Sequence, residues 1–262
     1  MAYSGFVSIV GAGPGNIEDL TIGGLKAITQ GEIIFYDALI GPDIIQEFPK
    51  KAKKFFVGKR SGHHVASQKQ INEMLIRSAR LGFKVVRLKG GDPYIFGRGG
   101  EEALALQKAG IDFKVIPGIS AMNGIGARAG IPLTHRGVAR SVCILEGHSV
   151  KTSPPEWHSL AHFNGTIIIY MGVGNLPHIA QCLLENGMAG DKPIALVESE
   201  SGNQEIQRST LAQVVTEGLT PQTQGPGIIY IGDVVNLSHE LNQISANANN
   251  PILRSNYDHH IY

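Results

Sequence analysis

Two glycine-rich stretches hold the residues best suited to chemistry. The first, GAGPG from Gly11 to Gly15, follows an apolar run and leads toward a helical pattern, the setting in which a nucleotide could meet backbone N–H groups. Its glycines run G-x-G-x-G with Pro14 inside the turn, whereas the dinucleotide fingerprint needs G-x-G-x-x-G so that a third glycine packs helix on strand. Asp37 lies 22 residues after Gly15, where an acid could hold a ribose, so a nicotinamide-dependent oxidoreductase stays open on these residues alone. The second stretch, Lys89 to Glu102, has five glycines in fourteen residues, and Gly90 and Gly91 stand directly before Asp92. Glycines let a ligand approach the backbone, and a carboxylate accepts hydrogen bonds from hydroxyl or ammonium groups. The plainer reading is a turn capped by Asp92. His259 and His260 form a pair near the end, but no third metal ligand accompanies them, and a frayed tail explains them better.

Strands and helices must position these loops. Short apolar runs bounded by glycine, proline or charge occur at Phe6–Val10, Ile33–Tyr36, Val85–Leu88, Val142–Leu145, Thr166–Met171, Ile194–Val197 and Ile228–Ile231, the pattern of buried strands in a mostly parallel sheet. Between them, Gln68–Leu81 sets Ile71, Met74, Leu75 and Ala79 on one helical face, and Glu101–Ala109, Ile119–Ala129 and Asn175–Asn186 also carry helical patterns. The alternation predicts an α/β fold of two domains, at 1–117 and 118–244, followed by a polar tail at 245–262.

Composition narrows the class. Among 262 residues, 23 Lys+Arg nearly cancel 22 Asp+Glu, which disfavours a polybasic nucleic-acid binder. Two cysteines, Cys143 and Cys182, give neither a disulfide framework nor zinc spacing, which fits a reducing, cytoplasmic setting. The first ten residues lack the basic start of a signal peptide, and every apolar run falls far short of the ~20 residues that cross a membrane. The expected partners therefore include neither nucleic acid nor membrane.

Seven segments, in order, resemble the uroporphyrinogen-III C-methyltransferases of the tetrapyrrole methylase family: VGAGPG at 10–15, GKRSGHH at 58–64, VRLKGGDP at 86–93, FGRGGEE at 96–102, PGISA at 117–121, GIPLTHR at 130–136 and YMG at 170–172. The resemblance spans residues 5–240 and implies two α/β domains of the class III methyltransferase type, with the active-site cleft between them, in a homodimer. It implies S-adenosyl-L-methionine as methyl donor, with S-adenosyl-L-homocysteine as product and no metal, and methylation of uroporphyrinogen III at C2 and C7 to give precorrin-2. Pro14, Gly90, Gly91, Asp92, Ile95, Ser120, Ala121 and Met171 should line the cofactor site. Glu200 stands where a small residue is expected. Asp37 is implied as proton acceptor and Lys59 as donor, with Arg98 as the third catalytic residue. Arg60, His63, Glu101 and Arg136 are implied in substrate handling. A guanidinium is too basic to act as a base, so orientation or charge stabilisation suits Arg98 better.

A substrate with eight carboxylates wants a cationic pocket. Residues 59–140 hold 14 basic and 5 acidic side chains, a balance of +9, against −8 over the remainder. Arg60, Arg87, Arg98, Arg128, Arg136 and Arg140, with His63, His64 and His135, are candidates, about half of which should face the ligand, because arginine grips a carboxylate bidentately. A methylase of a later corrin precursor, a relative acting on rRNA or diphthine, and a non-catalytic module are the alternatives. Oxidation and iron insertion are expected to occur elsewhere than in this chain.

Overall fold

The computed structural model describes residues 5–58, 66–200, 203–223 and 225–248. The chain divides into two compact units, one ending at Gly124 and the other starting at Ile125. The division falls beyond the expected boundary at 117.

The first unit alternates strand and helix: β1 (Phe6–Gly11), α1 (Ile22–Thr29), β2 (Ile33–Tyr36), α2 (Pro42–Gln46), β3 (Lys53–Phe56), α3 (Gln68–Arg80), β4 (Lys84–Lys89), α4 (Gly99–Lys108) and β5 (Phe113–Ile116). Its sheet has the order β3-β2-β4-β1-β5, and every pairing is parallel. Period two then separates two cores. Val7, Ile9, Ile33, Phe35 and Val85 face Ile71, Leu75 and Ala79 of α3 and Ala103 and Leu106 of α4. Val10, Ile34, Val86 and Leu88 face the opposite way, onto Ala27 and Ile28 of α1 and Ile44 of α2.

The 68–81 pattern folds as a helix for the reasons its sequence offers. Ser67 accepts a hydrogen bond from the Gln70 N–H while the Gln70 side chain accepts one from the Ser67 N–H, a reciprocal cap. Ile71, Leu75 and Ala79 recur at four-residue spacing and are buried.

Chain direction across this sheet decides where a ligand can sit. After β1 the chain crosses to β2 on one side, and after β4 it crosses to β5 on the other. The loops leaving β1 and β4 therefore diverge at the carboxyl edge between two paired strands, the switch point at which open α/β sheets bind ligands. Both glycine-rich stretches begin there.

Helix α5 (Ala121–Arg128) leads into the second unit, which contains β6 (Val142–Glu146), α6 (Trp157–Ala161), β7 (Thr166–Tyr170), α7 (Leu176–Glu185), β8 (Pro193–Glu200), β9 (Asn203–Thr210), α8 (Leu211–Glu217), β10 (Gly227–Ile231) and α9 (Val234–Ala248). Its sheet order is β6-β7-β10-β8-β9. Here the expectation of a mostly parallel sheet fails: β6 and β7 are parallel, but β10 runs antiparallel to both β7 and β8, and β9 is antiparallel to β8. A connection as short as that between Glu200 and Asn203 allows only an antiparallel partner. Ile167, Ile169, Ile194, Leu196, Ile229 and Ile231 build the core of this unit against α7 and α8.

Leu75 is fully buried between α3 and the first sheet. Leu75→Ala is expected to remove about 2–5 kcal/mol of stability, read from denaturant unfolding of the full chain, because the packed sheet face cannot collapse into the space left.

Candidate active site

The glycine loops of the first unit lock backbone to backbone. Ala12 N–H donates to the Lys89 carbonyl at 2.8 Å, and Gly13 and Gly91 exchange N–H to carbonyl bonds of 3.3 and 2.7 Å. A Cβ on Gly11 would meet the Gly91 carbonyl oxygen at 2.6 Å, and one on Gly118 would fall 2.7 Å from the Gly11 carbonyl carbon. Three loops, after β1, β4 and β5, thus converge with no room for side chains at their contacts. Gly91 differs from these. Its φ of +65° favours glycine, yet a Cβ there would touch only the Ala121 nitrogen at 3.8 Å, so space remains above it.

This arrangement tells against the nicotinamide reading. The N–H groups of Ala12 and Gly13 already donate to the β4 loop, and α1 begins only at Ile22, capped by the Thr21 hydroxyl. The first glycine loop therefore does not open a helix whose N-terminus could take a pyrophosphate.

Asp92 acts as the plainer reading has it. One carboxylate oxygen accepts from the Tyr94 N–H at 2.8 Å and the other from the Gly118 N–H at 3.1 Å. The side chain thereby ties the β4 loop to the loop leading to Ser120, and Ser120 accepts the first α5 bonds, from Asn123 and Gly124. Pro14 packs near Gly124, where a Cβ would stand 2.6 Å from its ring. Ile95 is half-buried and donates to the Asp92 carbonyl at 3.3 Å.

Beside the loops lies a network of charge. Asp37 is the first residue after β2, and Arg87 and Lys89 lie two apart on β4, so strand pairing places all three on the face covered by α3 and α4. Glu102 reaches them from the first turn of α4. Arg87 Nη2 lies 2.6 Å from Asp37 Oδ1, and its Nε lies 2.9 Å from Glu102 Oε1. Lys89 Nζ is 3.1 Å from the same Glu102 oxygen and 3.9 Å from Asp37 Oδ2. Side-chain exposure is 3% for Arg87, 4% for Lys89 and 0% for Glu102, but 26% for Asp37. Asp37 alone offers an open carboxylate. Burial works against the Arg87 charge, yet Glu102 and Asp37 outweigh it and raise the guanidinium above its ordinary range. For Lys89, burial and then the neighbouring Arg87 prevail and bring the ammonium below its ordinary value. Arg87 is thus removed from the candidates for substrate carboxylates, because it is buried and its charge is already matched.

Arg98 and Glu101 form a second, different pair. Arg98 precedes α4 with φ +59°, in a loop closed by the Gly99 N–H donating to the Pro93 carbonyl. Its Nε and Nη2 grip the two Glu101 oxygens at 2.8 Å each, with both side chains about half exposed. The mutual hydrogen bonds raise the Arg98 pKa and lower that of Glu101. Phe96, Arg98 and Met171 are the non-glycine residues with positive φ among those described. Such backbone strain concentrates at functional positions.

In the second unit, Met171 follows β7 with φ +54° and is 52% exposed. Arg136 is exposed on a turn closed by the His135 and Ala139 backbones. Glu200 ends β8, and its side chain lies outside the described residues, as do Lys59, Arg60, His63 and His64. Sequence reasoning missed Glu102 and the part Lys89 plays. A signal was present: a strand read as buried, Val85–Leu88, contains an arginine, and a buried charge requires a partner.

The profile of the Tetrapyrrole (Corrin/Porphyrin) Methylases matches residues 7–215. A siroheme synthase of Enterobacter sp. (strain 638) is 45% identical over 245 residues, covering 93% of this chain and 53% of that protein. The chain spans about half the length of the curated relatives it matches. A uroporphyrin-III C-methyltransferase from Thermus thermophilus superposes with a TM-score of 0.75 at 34% identity, covering 91% of this chain and 96% of that one. The same enzyme complexed with S-adenyl homocysteine gives 0.76 at 33% identity, covering 89% and 100%. With the family profile matching residues 7–215 and the backbone superposing on such an enzyme over 91% of its length, this chain belongs to the tetrapyrrole (corrin/porphyrin) methylases.

Proposed function

We propose that the chain methylates uroporphyrinogen III at C2 and C7, giving precorrin-2, with S-adenosyl-L-methionine as donor. The observation that carries the reading is Asp37: an open carboxylate, held 2.6 Å from a buried guanidinium, at the carboxyl edge where the glycine loops converge. When bound, the donor supplies a sulfonium methyl group, so that a C–C bond forms on the pyrrole as the C–S bond breaks and the thioether leaves. Methylation leaves a cationic macrocycle that must lose a proton. Asp37, paired with Arg87 and open to solvent, takes it. The rest of the acceleration comes from positioning.

The cradle suits an amino-acid and nucleoside ligand met mainly by backbone. Gly90 and Gly91, the turn held by Asp92, Pro14, Ile95, Ser120 and Ala121 would hold it. Met171 and Glu200 of the second unit keep the cofactor roles the resemblance gives them, and Lys59, Arg60, His63 and Arg136 keep their roles toward the substrate. Arg98 suits a substrate carboxylate for a reason of magnitude: an exposed ion pair contributes about 0–1 kcal/mol, so a ligand carboxylate can displace Glu101 at little cost. We place the enzyme in the cytoplasm, following its cysteine usage, and as a homodimer, following the resemblance.

Incubation with uroporphyrinogen III and S-adenosyl-L-methionine should yield a product dimethylated at C2 and C7, read by mass spectrometry and NMR. Absence of that product would overturn the reading, and transfer only to a later corrin precursor would favour the alternative. Asp37→Asn is expected to lower kcat by about 100-fold or more while S-adenosyl-L-homocysteine affinity stays within about twofold by calorimetry. Asp92→Asn, which sets an amide against backbone N–H donors, is expected to lose about 1–3 kcal/mol of stability and to weaken S-adenosyl-L-homocysteine binding in the same measurement.

A further inference from the structure

Glu102 is the innermost member of the charge network, and no ligand can touch it: its side chain is 0% exposed. Its Oε1 gathers three donors, Arg87 Nε at 2.9 Å, Lys89 Nζ at 3.1 Å and Gln68 Nε2 at 3.1 Å, while its buried Oε2 has no hydrogen-bond partner. Both cations it holds also face Asp37. Two carboxylates therefore share two cations, one sealed in the core and the other open to solvent.

We infer that Glu102 is a positioning residue for Asp37, acting through Arg87 and Lys89, in the proton-transfer step of the reaction. The inference rests on the proposed reading of Asp37 as proton acceptor. Glu102 accepts from Arg87 Nε and the Leu88 carbonyl accepts from Nη1, so Arg87 presents Nη2 to a single Asp37 oxygen. Asp37 Oδ2, 3.9 Å from Lys89, keeps lone pairs for a proton. With Glu102 neutral, both cations would turn on Asp37 alone, and a carboxylate clasped by two cations is a poorer proton acceptor. Among the described residues, the charged groups in this network are Arg87 and Lys89 from β4, Glu102 from α4 and Asp37 itself. A purely structural role, Glu102 pinning α4 to the sheet, is the competing account.

The geometry supplies a clean substitution. Glu102→Gln keeps an acceptor at Oε1 for all three donors and places its NH2 where the unpartnered oxygen stood, so it removes charge with little change of shape. The full chain, its Glu102→Gln and Asp37→Asn variants and the double variant are assayed for kcat and KM with uroporphyrinogen III, and for S-adenosyl-L-homocysteine affinity by calorimetry. Glu102→Gln is expected to lower kcat about tenfold, with KM and affinity within about twofold, and to cause no further fall in the Asp37→Asn background. The same factor in both backgrounds, or an unchanged kcat, would overturn the inference and leave the functional reading intact. A wild-type chain that does not turn over uroporphyrinogen III would overturn the functional reading, and this inference with it. Should Glu102→Gln fail to bind S-adenosyl-L-homocysteine, Glu102→Asp, which keeps the charge and withdraws it by one methylene, enters the same cycle, where a non-additive loss supports the coupling and an additive one rejects it.

Discussion

A guanidinium buried in a β-strand constrains this structure more than any other group. Arg87 sits in the middle of the first sheet with 3% of its side chain exposed, where an unpaired charge could not persist. A carboxylate flanks it on each side, shared with Lys89, and the fold supplies the two from different elements: Asp37 after β2 and Glu102 in the first turn of α4. One side chain thus fixes the end of a strand, the seating of a helix and the orientation of the residue best placed for proton transfer. Removing one partner from such a buried set typically costs about 3–5 kcal/mol, whereas a well-packed apolar replacement of the whole set can be neutral or stabilising. Stability alone does not explain keeping it. Under the proposed function, the open position of Asp37 in an otherwise sealed network does.

The glycines answer a second constraint, which is distance. Three loops meet where β1, β4 and β5 end, and at Gly11 and Gly118 a Cβ would collide with backbone. Backbone contact of this kind makes the floor of the crevice rigid, and Asp92 reinforces it by bonding two N–H groups on different loops. Gly91 serves another purpose, because a side chain there would enter open space rather than a neighbour. Glycine at Gly91 answers its φ of +65° instead, and leaves the space beside it open.

How legible the molecule was depends on burial. All seven apolar runs became strands, six of them central in their sheets, because a strand buried on both faces must be a continuous apolar run. The strands that escaped notice, β3, β5 and β9, lie at sheet edges, where one side is free and the sequence can read KKFF, FKVI or NQEIQRST. Strand direction in the second sheet was also hidden, since a buried apolar run looks the same in either sense. At the site, motif order pointed to loops that meet at the carboxyl edge of the first sheet, but which residue bonds which required coordinates. That Asp92 ties two loops together, for instance, shows only in its bonds to the Tyr94 and Gly118 N–H groups. Glu102 looked like the second half of an acidic doublet, yet Glu101 faces solvent and Glu102 faces the core.

The charge asymmetry of the chain also takes a more definite form. The network of Arg87, Lys89, Asp37 and Glu102 is neutral as a whole. Counting Asp37 with residues 59–140 turns their +9 into +8, so internal pairing removes little of the excess. Position removes more. Arg77 and Arg80 lie in the last turn of α3, and Lys84 opens β4 at the amino edge of the sheet, whereas Lys89 closes β4 at the carboxyl edge. Five strand steps separate Lys84 from Lys89, roughly 17 Å at about 3.3 Å per residue, or about two Debye lengths at physiological ionic strength. Those three cations cannot hold a carboxylate at the carboxyl edge. Among the described residues of the first unit, Arg98 offers a cation whose pairing, with Glu101, is exposed and exchangeable, so the basic count of the whole segment overstates what an anionic ligand would meet.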